Sequence, residues 1–218
     1  MRRYVFDFCG TIIDKQTHEL IKIYCFRYLK FSYFKKYFEE RQHRLEFDLE
    51  YIENNIDIQH FAEWMANKVR LARSFELIKE LVESGHHIYI ATIASERLID
   101  AFLINFLQTG SYTIFGSRPG GIVNGDKKAD WVKRLENAVF FTDSLADEPV
   151  FKYCQEVVYS EYSTTEFESY AQTRNLRDVH VFLKELRLST SCTAVTDLRL
   201  SQTGLKAAPA NSRFASTQ

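Results

Sequence analysis

No stretch of this 218-residue chain approaches the roughly 18 consecutive apolar residues of a membrane-spanning helix. Cysteine is sparse: Cys9, Cys25, Cys154 and Cys192 include no CxxC pair, and no histidine stands at zinc-finger spacing. That argues against a zinc-finger framework, and at this length against a disulfide scaffold. Cys25 and Cys154 lie in apolar surroundings and read as small buried hydrophobes. An excess of either charge is missing too. The formal net charge is -1, which argues against a general binder of nucleic acid or anionic membrane. The start, from Met1 to Asp7, is too short in its apolar part and acidic too early for a secretory signal. Cytoplasm is therefore the expected location. There is no internal repeat.

What is present is ordinary for a soluble globular protein, with 45% apolar and 26% charged residues. The length suits one full domain with a modest insertion. Tyr4-Val5-Phe6-Asp7-Phe8 is a short β-prone run that stops at Gly10-Thr11, as a buried strand ending in a turn would. From about Asp14 to Phe38 the chain is helical in character, dense in aromatics and interleaved with Lys and Arg. Weaker helical segments follow over 45–70. Ser74 is an expected N-cap, Phe75, Ile78, Leu81 and Val82 an apolar stripe, and Gly85 an expected helix stop. Strands are expected near 87–92, 111–115, 138–142 and 156–159, with helices after the second and before the fourth.

Strands alternating with helices indicate an α/β fold with a parallel sheet and right-handed crossovers. The strand-free excursion of roughly 70 residues after the first strand is too long for a plain crossover, so it is expected to form a cap. The expected organisation is a core over 1–14 and 86–187, a helical cap with its return helix over 15–85, and a loose tail over 188–218.

Ligands of an open α/β sheet bind at the carboxyl ends of its strands. Asp7 ends the first strand, Thr92 the second, and Asp143 follows the fourth. Two carboxylates at one spot repel unless a cation sits between them, and hard oxygen ligands point to Mg²⁺. A carboxylate can also attack phosphorus, with a metal and a lysine neutralising the phosphoryl oxygens.

These residues carry a resemblance. Asp7-Phe8-Cys9-Gly10-Thr11-Ile12-Ile13-Asp14 resembles the first motif of the haloacid dehalogenase (HAD) superfamily, DxDGTLxD. Thr92 resembles its second motif, and Gly125-Asp126-Lys127-Lys128 the GxxK lysine motif of the phosphoserine-phosphatase-like branch. Thr142-Asp143-Ser144-Leu145-Ala146-Asp147 resembles the fourth, GDSxxD. All four occur in the family order, over roughly 4–160, and the helical insertion resembles the family's small cap. The resemblance implies a Rossmann-like three-layer core and a Mg²⁺-dependent phosphatase of small phosphorylated metabolites, working through an aspartyl phosphate. It implies Asp7 as nucleophile and metal ligand, Asp143 as second metal carboxylate, the carbonyl of Cys9 as a further ligand, and Asp147 as support of the metal shell. Thr92 and Lys128 would hold the phosphoryl oxygens, with Ser95 and Lys127 as the competing hydroxyl and lysine.

One position departs from the pattern. Family phosphatases carry Asp two residues after the nucleophile, as general acid and base; here it is Cys9. That help contributes about 10²–10⁴-fold in rate. Three readings follow: a phosphatase with its proton supplied elsewhere, a phosphatase of substrates with good leaving groups, or a protein that binds phosphorylated ligands without turnover. Asp-Phe-Cys at this motif resembles HAD proteins associated with bacterial surface-polysaccharide synthesis, which favours an active enzyme on a sugar or polysaccharide precursor. Metal-independent dehalogenation is a further alternative. The aromatic-basic stretch from Tyr24 to Phe38 reads as cap core with a solvated side rather than a nucleic-acid platform. Neither nucleic acid nor membrane is an expected partner, and oligomeric state is not legible.

Overall fold

The computed structural model describes residues 2–40 and 43–188. The chain divides into two units, Met1–Phe182 and Leu183–Gln218. Of the second, residues 183–188 are helical, and the tail expected beyond them lies outside the described residues. Among the described residues no helix is long and apolar enough to cross a membrane.

The first unit is an α/β fold around one sheet of six strands: β1 (Arg3–Phe6), β2 (Ile88–Ser95), β3 (Tyr112–Ser117), β4 (Ala138–Thr142), β5 (Glu156–Tyr159) and β6 (Arg177–Asp178). Every pairing is parallel and the order is β3-β2-β1-β4-β5-β6. Parallel strands are covered on both faces and read as continuous apolar runs. β4, Ala-Val-Phe-Phe-Thr, is accordingly buried at every position. Phe6 of β1 stacks on Phe141 of β4 with ring centroids 4.2 Å apart. β6 was not expected, because its two residues are polar and offer no apolar run.

Among the described residues, five helices run between β1 and β2: α1 (Thr17–Arg27), α2 (Phe31–Glu39), α3 (Arg44–Asn55), α4 (Ile58–Ala66) and α5 (Arg73–Glu83). The helical stretch expected from Asp14 to Phe38 is thus two helices, broken where Leu29 takes φ 52. Its aromatics divide as well: Tyr24 and Tyr33 are core, whereas Phe26, Phe31 and Phe38 are exposed. Ser74 is not the N-cap of α5, because that helix starts one residue earlier and is capped at Ala72. Gly85 does end it, at φ 79, with His86 N–H donating to the Leu81 carbonyl. The two ends of the insertion are tied together. Asp14 N–H donates to the Arg70 carbonyl at 3.0 Å, Asp14 Oδ1 accepts from Arg70 N–H at 2.9 Å, and Ala72 N–H donates to the Ile12 carbonyl at 2.9 Å. Further helices are α6 (Glu96–Leu103), α7 (Gly125–Val132), α8 (Glu148–Phe151) and α9 (Thr165–Thr173), with a 3₁₀ turn over Leu145–Asp147, and residues 179–182 are helical too.

Inside the helical insertion, the Tyr33 hydroxyl donates to Asp48 Oδ1 at 2.8 Å, with both residues buried. Burial raises the Asp48 carboxyl to about 6 despite the Tyr33 bond and the pull of Lys22 and Arg44. An unfolded Asp titrates near ~3.9. The folded state therefore holds this proton more tightly, and the stability it confers is present below about pH 4 and lost as pH rises through about 6. Asp48→Asn keeps an acceptor for Tyr33 and removes the titration. The variant is expected to exceed the native protein by about 2 kcal/mol in urea melts at pH 7.5, an advantage that vanishes toward pH 4. A constant difference across that range would refute the assignment.

Candidate active site

The strand order puts the switch point beside β1. The chain leaves β1 toward β2 and β3 on one side, then returns to β4 on the other, and such a crevice is where open α/β sheets bind ligands. Phe6 pairs with Phe141, and Asp7 N–H extends the ladder by donating to the Phe141 carbonyl at 2.9 Å. Asp7 and Asp143 therefore emerge side by side at the carboxyl ends of neighbouring strands. The turn after β1 needs glycine. Gly10 has φ 74, and a Cβ there would lie 2.0 Å from Asp143 Oδ2. Absence of a side chain at residue 10 is what lets the Asp143 carboxylate lie against the turn. Ser160 Oγ, donating to the Gly10 carbonyl at 2.6 Å, secures it from behind.

Lys128 reaches the same crevice from α7. Its ammonium donates to Asp7 Oδ1 at 2.7 Å and to Asp147 Oδ1 at 2.8 Å, and it is 4% exposed. The start of α7 fits closely against the 3₁₀ turn, since a Cβ at Gly125 would come 2.7 Å from the Ala146 carbonyl oxygen. Asn124 caps the helix by accepting from Lys127 N–H. Lys127 points elsewhere, its ammonium bonded to the Ile122 carbonyl at 2.6 Å. The structure thus brings Lys128, and not Lys127, to Asp7.

Asp147 accepts from Lys128 on one oxygen and from the Thr142 hydroxyl, at 2.9 Å, on the other. Each of its oxygens thus has one protein partner, and the carboxylate ties Lys128 to the end of β4. Thr92 is fully buried in β2, where its Oγ1 accepts from Ala94 N–H at 3.1 Å and keeps its own proton to donate. The Ser95 hydroxyl is committed: it donates to Glu53 Oε1 of α3 at 2.8 Å and caps α6 at Leu98 N–H. Glu53 also pairs with Arg97, so α3 is tied to the start of α6.

Three carboxylates face one ammonium here. Burial, first of all, pushes the Asp7 carboxyl up; Lys128 pulls it down and Asp147 pushes it further up. Burial also raises Asp143, followed by the charge on Asp7. Burial opposes the Lys128 charge, but Asp7 and Asp147 outweigh it, and its ammonium is held well above the usual range. The Cys9 thiol is buried, bonded only loosely to Thr17 Oγ1 at 3.7 Å, and pushed up to about 12 by burial and then by Asp7. Unbalanced carboxylate charge in a buried crevice is the electrostatic setting that a hard cation relieves. Among the described residues no three His, Cys, Asp or Glu side chains close into a metal site by themselves. A cation held by Asp7 and Asp143 would draw its other oxygens from main chain, water or ligand, as Mg²⁺ commonly does. On donor chemistry, the residues fit.

The cavity at this crevice measures about 220 Å³. Asp7, Cys9, Lys128, Asp143 and Asp147 line it, whereas Thr92 is fully buried in β2 and not among its lining residues; Ile93, next in the chain, is. Sequence reasoning missed Gln16, Asn124 and Thr164 on its wall. Asn124, directly before the Gly125-Asp126-Lys127-Lys128 run, had a signal in its position as helix cap. Thr164 caps α9 in the same way, accepting from Phe167 N–H, but only the tertiary path after β5 brings it to this wall.

A family model described as haloacid dehalogenase-like hydrolase matches residues 4–152. No curated protein matches the sequence. Among solved structures, the chain is similar to a protein of unknown function from Bordetella pertussis Tohama I, with TM-score 0.61 and 13% identity over 81% of this chain and 97% of that one. It is similar to phosphoserine phosphatase in its apo form, with TM-score 0.50 and 14% identity over 73% of this chain and 86% of that one. A third likeness is to a HAD family hydrolase from Salmonella enterica serovar Typhi, with TM-score 0.50 and 14% identity over 77% of this chain and 64% of that one. At such identities the likeness shows the fold.

Proposed function

This chain belongs to the haloacid dehalogenase-like hydrolases, and on that premise we propose that it is a cytoplasmic Mg²⁺-dependent phosphatase of small phosphorylated metabolites. The observation that carries the reading is the Lys128 ammonium on Asp7 Oδ1 at 2.7 Å, beside Asp143 at the switch point. Asp7 is the nucleophile: its carboxylate oxygen attacks phosphorus, the bond to the ester oxygen breaks, and an aspartyl phosphate forms. Water then attacks that phosphorus, releasing inorganic phosphate and restoring the carboxylate. Lys128, anchored by Asp147, neutralises charge on the phosphoryl oxygens, and the Thr92 hydroxyl has a proton to donate to them. Asp7, Asp143 and the Cys9 carbonyl would hold Mg²⁺, which when bound offsets the negative charge of nucleophile and phosphoryl group alike. The helical segment 15–85 serves as the cap. Its tied ends and the Glu53 contacts to Ser95 and Arg97 support that role.

A thiol is a weak hydrogen-bond donor, so Cys9 gives the departing oxygen little help. The favoured substrates are therefore monoesters whose leaving group tolerates negative charge. A sugar phosphorylated at its anomeric carbon fits, its hemiacetal oxygen leaving more readily than an ordinary alkoxide, and a cavity of about 220 Å³ suits a compact polar ligand. A surface-polysaccharide precursor belongs to that class. The same cysteine supports a second reading, a protein that binds phosphorylated ligands without turning them over.

The test is phosphate release from a panel of phosphorylated metabolites with Mg²⁺, with chelator, and with Mg²⁺ restored. Release is expected to fall to background with chelator and to return with the metal. Ligand-induced stabilisation without release from any substrate would support the binding protein instead. Chloride release from haloacids, indifferent to chelator, would make the chain a dehalogenase.

A further inference from the structure

The α1–α2 turn carries side chains that the fold leaves unused. Ile23, Phe26 and Arg27 share one face of α1, and Phe31, Phe34, Lys35 and Phe38 share one face of α2 at positions i, i+3, i+4 and i+7. Phe26 is 75% exposed, Phe31 71%, Leu29 68% and Phe38 61%. Phe26 and Phe34 meet edge to face with centroids 6.4 Å apart, which joins the two helical faces into one patch. Monomeric proteins seldom leave several large apolar side chains contiguous and bare without a use for them.

The charge of the segment is the second observation. Between Glu19 and Glu39 there is no acidic residue, but there are Lys22, Arg27, Lys30, Lys35 and Lys36, in a chain whose net charge is -1. Lys22 is engaged over the Tyr37 ring at 5.0 Å. Arg27 and Lys35 stand exposed, and Lys30 half-buried, among the bare aromatics. Phenylalanine and leucine ringed by Lys and Arg match the interface of an anionic bilayer: apolar side chains enter the headgroup boundary while the cations meet the phosphates.

We propose that the α1–α2 turn docks this protein on anionic lipid bilayers, with Phe26, Leu29 and Phe31 inserted and Arg27, Lys30 and Lys35 on the headgroups. Nucleic acid fits less well. Ile23 and Leu29 offer no face for base stacking, and residues 20–38 contain no Asn or Gln to read base edges. A twofold contact with a second copy fits less well too, because it would set this basic patch against itself.

Co-sedimentation of the full chain with vesicles decides the matter. Association is expected with phosphatidylglycerol–phosphatidylcholine vesicles, not with phosphatidylcholine alone, and it should weaken at high salt. Lys30→Gln and Lys35→Gln should each lower the binding constant about fivefold, and Phe26→Ser with Phe31→Ser should abolish sedimentation. Phe26, Phe31 and Lys35 are exposed and Lys30 is half-buried, so melting temperature should hold best for Lys35→Gln; if the double Phe variant misfolds, the Lys variants still carry the test. Equal sedimentation with both vesicle types, or none, would overturn the proposal. So would binding to single-stranded RNA without binding to vesicles, or a dimer in light scattering that the Phe substitutions dissolve.

Discussion

Asp7→Asn is expected to reduce phosphate release by roughly 10⁴-fold or more while leaving the protein folded. The amide is nearly the same shape, and its oxygen can still accept from Lys128, so the crevice keeps its geometry. What it loses is the carboxylate that attacks phosphorus. The substitution also removes one of three carboxylates facing a single ammonium. Burial and Asp147 both push against ionisation of Asp7, so the variant should melt no lower than the native protein in the absence of metal. Single-turnover phosphate release together with a thermal melt checks both halves. Retained turnover would remove Asp7 from the nucleophile's role. A collapsed melting temperature would mean that the lysine–aspartate pair serves stability before chemistry.

Cys9→Asp is expected to act in the opposite direction, and selectively. A carboxylic acid at this position can protonate a departing alkoxide and later accept a proton from water, help that contributes about 10²–10⁴-fold. The gain should appear with alkyl phosphates, whose leaving oxygen needs a proton. It should nearly vanish with aryl phosphates, whose phenolate leaves unaided. The informative quantity is therefore the ratio of kcat/KM for an alkyl and an aryl ester in native and variant proteins, measured with Mg²⁺ present. A ratio that rises by two orders of magnitude identifies the thiol as the limit on rate. An unchanged ratio means that another group already supplies the proton. Activity in the variant alone would assign the native protein to ligand binding. The new carboxylate joins Asp7, Asp143 and Asp147, so the variant should also depend more steeply on metal for its stability.

Much of this was legible in sequence because parallel strands are short apolar runs and the candidate site's side chains sit at their ends. Asp7 and Asp143 could be placed from one dimension alone, since each follows such a run immediately. β6 could not, because two polar residues carry no periodicity and pair only where β5 is already in place. Ser74 misled because a serine before an apolar stripe looks like a cap, whereas the cap is Ala72, two residues earlier. The division of the aromatics between Tyr24 and Tyr33 inside and Phe26 and Phe31 outside depends on a break at Leu29, in a left-handed conformation that composition does not announce.

By itself the sequence determined the α/β class, the helical insertion after the first strand, and the four motifs in their order, because these rest on local periodicity and on which residue ends a strand. Tertiary structure alone decided between neighbours of like chemistry. Lys128 rather than Lys127 meets Asp7, Ser95 donates to Glu53 while Thr92 accepts from Ala94, and Asp147 meets the lysine. Adjacent residues of similar type differ in direction by about 100° on a helix and by half a turn on a strand. Only the packing of α7 against the 3₁₀ turn selects which of the two lysines faces the crevice.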